Sequence, residues 1–85
     1  MSEATKALFR RQQKMVAQIK PILAGQGPEA QGATLAELVA IFLAGHHPSL
    51  RGDLLAMHIA YVTKLLPISE AEIFPNGKPE GWEHH

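Results

Sequence analysis

The chain predicts an all-α fold, a small bundle of three main helices with an irregular C-terminal tail. Three observations carry that class. Apolar residues recur at helical spacing, strand-like alternation is absent, and glycine and proline cluster between the periodic stretches. Hydrophobic residues make up 46% of the 85, enough to furnish the core of a single helical domain over residues 1–85.

The first helix is expected over about 4–24. At 100° per residue, Ala4, Leu8, Met15, Val16, Ile19, Ile22 and Leu23 share one face, and Lys6, Arg10 and Lys14 run down the other. Pro21 lacks the donor that a helix interior uses, yet Ile22 and Leu23 keep to the apolar face only if the helix continues. A kink at Pro21 is therefore expected rather than a stop. Gly25, Gly27, Pro28 and Gly32 then predict a loop.

Thr34-Leu35-Ala36-Glu37 has the form of a capping box, in which hydroxyl and carboxylate each satisfy a free backbone N–H. It opens a second helix over 34–44, with Gly45 as its left-handed stop. A third helix is expected over 48–66, with Pro48 in its opening turn, His47 or Ser49 as cap, and Pro67 at its close. Ser69-Glu70-Ala71-Glu72 can cap one further turn. The rest of 67–85 reads as irregular chain, pinned by Ile73, Phe74 and Trp82. Glu83-His84-His85 has the composition of a purification-tag start, and its histidines carry no argument.

Net charge is zero, so no whole-molecule field draws the chain to nucleic acid or membrane. The distribution is uneven. Residues 1–28 hold Lys6, Arg10, Arg11, Lys14 and Lys20 against Glu3 alone, while the remainder holds seven acids against Arg51, Lys64 and Lys78. The absence of cysteine excludes disulfides and thiolate metal sites and fits the cytoplasm. Charges stand where a signal peptide needs its apolar segment, and the longest apolar run, Leu38 to Ala44, is far short of the roughly 20 residues that span a bilayer. No membrane partner is expected.

Candidate chemistry gathers in Gly45-His46-His47-Pro48-Ser49-Leu50-Arg51-Gly52-Asp53. Its plain reading is a helix stop followed by a helix start. As zinc ligands, His46, His47 and His58 are weak candidates, since adjacent histidines diverge and no i,i+3 or i,i+4 pair exists. His58 falls near the middle of an apolar arc of about 200° on the third helix, where a histidine is ordinarily a bonded core residue. A helix-turn-helix fits in outline, but a reading helix needs exposed polar residues at its start, and here Arg51 and Asp53 give way to an apolar run. No Ser-His-Asp order, carboxylate pair, phosphate loop or nucleotide fingerprint can be assembled, so neither an enzyme nor a cofactor is expected.

The distribution of apolar surface says more. Large apolar residues cover over half the circumference of the second and third helices, more than the stripe of about 100° usual for a surface helix. One amphipathic first helix cannot cover both. The surplus implies a partner, and a second copy is the commonest kind, although another helical protein would serve. Phe42, Leu43, Leu55, Ile59 and Val62 are the expected contacts of a non-enzymatic interaction module, an adaptor or regulatory subunit acting as a homodimer. The alternative is nucleic-acid or other polyanion binding through Lys6, Arg10, Arg11 and Lys14.

Overall fold

The computed structural model describes residues 2–82, and Glu83-His84-His85 lies outside them. The fold is all-α: α1 (Glu3–Ala24), α2 (Pro28–Ala44) and α3 (Pro48–Ile73), with no strand among the described residues. By spatial contact the chain divides into two units, residues 1–40 and 41–85, and each contains one helix-to-helix joint.

Ser2 caps α1, its Oγ accepting from the Thr5 backbone N–H at 3.1 Å. The helix runs through Pro21 to Ala24, as the register of Ile22 and Leu23 requires. No described helix is long and apolar enough to cross a membrane.

Two helix boundaries differ from the sequence expectation. α2 begins at Pro28, not at Thr34, so Thr34 and Glu37 are interior residues and form no capping box. Proline suits a first helical position, where its missing donor costs nothing and its fixed φ is already helical. Glu29 in the first turn favours the helix dipole, and the expected loop is absorbed into α2 from Pro28 onward, Gly32 included, leaving only residues 25–27 as the joint. α3 continues through Pro67 to Ile73. The turn at Ser69–Glu72 thereby becomes the end of α3, closed by a bond from Phe74 N–H to the Glu70 carbonyl at 2.8 Å.

A third difference lies at Gly45, which ends α2 without left-handed backbone. Positive φ occurs only at Gly77 (99°) and Gly81 (94°) among the described residues. Both of these lie in the short irregular tail, 74–82. The Phe74 and Trp82 rings meet edge-on there at 5.3 Å, and Lys78 Nζ lies 3.4 Å from Glu70 Oε1 on α3. Phe74 and Trp82 thus meet as expected, while Ile73, the last residue of α3, is 67% exposed and takes no part.

Among the described residues none is buried; the most sheltered are half-buried. In residues 1–40 these are Ala7, Gln12, Leu23, Gln31 and Val39. In residues 41–85 the half-buried set includes Leu43, His46, Arg51, Leu54, His58 and Leu65.

Candidate interaction surface

The histidine-rich stretch is a closed hydrogen-bonded joint. A helix leaves its last four carbonyls without intrahelical donors, and in α2 all four find one. Gly45 N–H reaches Ile41 at 3.0 Å, and the His46 ring Nδ1–H reaches Phe42 at 2.7 Å. Leu43 accepts from His46 N–H and from Arg51 Nε, and Ala44 accepts from Arg51 Nη2, each at 3.0 Å. Arg51 Nε is shared with the His46 carbonyl, also at 3.0 Å. With side chains from His46 and Arg51 satisfying these groups, α2 needs no left-handed glycine to end it.

His47 caps the helix that follows. Its Nδ1 accepts the Ser49 backbone N–H at 3.1 Å, so that nitrogen carries no proton, and the Ser49 hydroxyl at 2.8 Å donates to it as well. His46 and His47 thus present opposite tautomers at Nδ1, one a donor to the old helix and one an acceptor for the new. The His46 ring also meets Phe42 edge-on at 4.8 Å. His58 on α3 is half-buried near Leu54 and Leu65, and its ring makes no hydrogen bond to a described residue, so the expected bonded core histidine is not what α3 carries. No three metal-ligating side chains converge among the described residues.

The first joint is built like the second. Gln31 Nε2 reaches back to the Leu23 carbonyl at 2.8 Å, as Arg51 reaches back to Leu43. Residues 23–40 and 43–60 align without a gap, with eight identical pairs that include Leu23/Leu43, Gly25/Gly45, Pro28/Pro48, Gly32/Gly52 and Leu35/Leu55. The chain therefore carries one helix–joint–helix pattern twice, at an offset of 20 residues. That repeat is visible in the sequence itself, although helical periodicity alone conceals it. Proline opens each following helix, and its fourth residue staples it to the end of the one before.

All five expected contact residues fall within 41–85. Phe42, Leu55, Ile59 and Val62 are exposed and Leu43 is half-buried. α3 spreads its large apolar residues over an arc of about 200°, a central row flanked by two exposed ones, one of which is Leu50, Met57, Tyr61 and Ile68. Leu54, His58 and Leu65 lie within about 40° of one another and are half-sheltered. Leu55, Ile59, Val62 and Leu66, at i, i+4, i+7 and i+11, form the other exposed row, about 90° from the central one, and Ile59 at its centre is 57% exposed.

Lys6, Arg10, Arg11 and Lys14 are all exposed on α1. Lys6 lies 3.6 Å from Glu3, and the other three make no ion pair among the described residues. The chain matches no family model, no curated protein and no solved structure.

Proposed function

We propose that this chain is a non-enzymatic helical interaction module, a small adaptor or regulatory subunit that acts in the cytoplasm as a homodimer. The exposed row Leu55, Ile59, Val62 and Leu66 on α3 carries the reading, and Phe42 on α2 is likewise exposed. A row at that spacing is the form in which one helix receives another.

Sedimentation or light scattering at micromolar concentration should give twice the chain mass. Ile59→Lys places a charge in the middle of the row and should yield a less stable, aggregation-prone monomer. A well-behaved monomer of the unmodified chain would remove the homodimer and leave the row as a groove for another helical protein.

A further inference from the structure

α1 joins two properties that the proposed dimer contacts do not use. Leu8, Phe9, Met15, Val16, Ile19 and Ile22 lie within an arc of about 140°, and each is more than 40% exposed, Ile22 reaching 70%; Thr5, Gln12 and Leu23 share that arc, the last two half-buried. The remaining arc is basic. Lys6, Arg10 and Lys14 occupy its middle, while Arg11 and Lys20 stand at the two edges of the apolar arc. Five bases face a single acid, Glu3, and that acid is already paired with Lys6.

We infer that α1 lies on an anionic lipid surface. Its apolar arc enters the boundary between headgroups and acyl chains, and Arg11 and Lys20 reach lipid phosphates from the two edges. This is the build of an interfacial helix: modest overall hydrophobicity, a one-sided apolar arc and a lysine- and arginine-rich polar face. Long basic side chains at the arc edges extend their stems over apolar surface and hold their charges at the headgroups.

The two competing occupants each use only half of the helix. A nucleic acid would take the five cations and leave six large apolar residues in water. A second α1 would cover the apolar arc but bring two strongly basic helices together. An anionic bilayer covers the apolar arc and pairs the cations at its two edges, while Lys6, Arg10 and Lys14 on the far side add the longer-range attraction to anionic lipid. The expectation of no membrane partner rests on the whole-chain charge and on the lack of a spanning segment, and neither quantity describes α1 alone.

The full chain, incubated with large vesicles of phosphatidylcholine with and without phosphatidylserine and then centrifuged, tests this. It should sediment with the phosphatidylserine vesicles at low salt, stay soluble with phosphatidylcholine alone, and be released as salt rises. The double reversal Arg11→Glu/Lys20→Glu should lower the bound fraction at least about tenfold. Both positions are exposed, and an unchanged circular-dichroism helix signal establishes that the variant is folded. Ile19→Asp should also release the chain. Absence of binding to phosphatidylserine vesicles overturns the inference, as does duplex-DNA binding that survives Ile19→Asp while vesicle binding is missing. Chain mass measured without lipid reports separately on the homodimer, so either reading can fail alone.

Discussion

At the scale of single residues, Arg51 is the side chain on which the second joint depends most. From a half-buried position its guanidinium serves two carbonyls at the end of α2, Leu43 and Ala44, and that of His46 in the joint. Arg51→Ala should destabilise the chain by about 1–2 kcal/mol, because water can reach the freed carbonyls in part. Arg51→Lys should recover only some of this, since an ammonium cannot serve divergent carbonyls as a planar fork does. His47→Ala, which removes the cap of α3, should cost about 1 kcal/mol, and His47→Asp should restore it. Urea titration reads all four variants. The cap of α3 was legible in sequence as His47 or Ser49, because a cap acts on backbone N–H groups within three residues of itself, and His47 is the one that fills it. Arg51 was not, because its bonds run back up to eight residues into a different helix.

At the scale of elements, helix identity was legible and helix ends were less so. Apolar spacing identified all three helices, and the same logic that placed Pro48 at a helix start applies to Pro28. Gly27 and Gly32 around Pro28 drew the sequence reading toward a loop. Gly32 is instead a helix residue, as is its repeat counterpart Gly52. A Cβ built on either meets nothing within 4 Å, so helix propensity alone should govern the substitution. Gly32→Ala and Gly52→Ala should each stabilise the chain by about 1 kcal/mol in thermal or urea unfolding. A loss of stability would place a partner against that side of the helix. Pro67 misled in the opposite direction. A proline inside a helix forfeits one backbone bond, but the helix-compatible run Ser69–Glu72 beyond it carries α3 onward.

At the scale of the whole molecule, the sequence-level surplus of apolar surface and the absence of a buried residue among those described have one physical consequence. Burial is the dominant favourable term in folding, so a chain that buries little by itself should gain stability from whatever covers it. If a second copy provides the cover, folding and association are one equilibrium, and stability rises with concentration. Taking about 0.7 kcal/mol of unfolding enthalpy per residue over two chains of 85, each tenfold rise in concentration should lift the melting temperature by about 4 °C. Differential scanning calorimetry over two decades of concentration reads this directly. Added salt should leave the midpoint nearly unchanged, because the covered row Leu55, Ile59, Val62 and Leu66 carries no charge. Ile59→Lys should lower the midpoint and abolish its concentration dependence together. If Ile59→Lys lowers the midpoint while the unmodified chain shows no concentration dependence, the row is packing within one chain. The homodimer would then have no physical support.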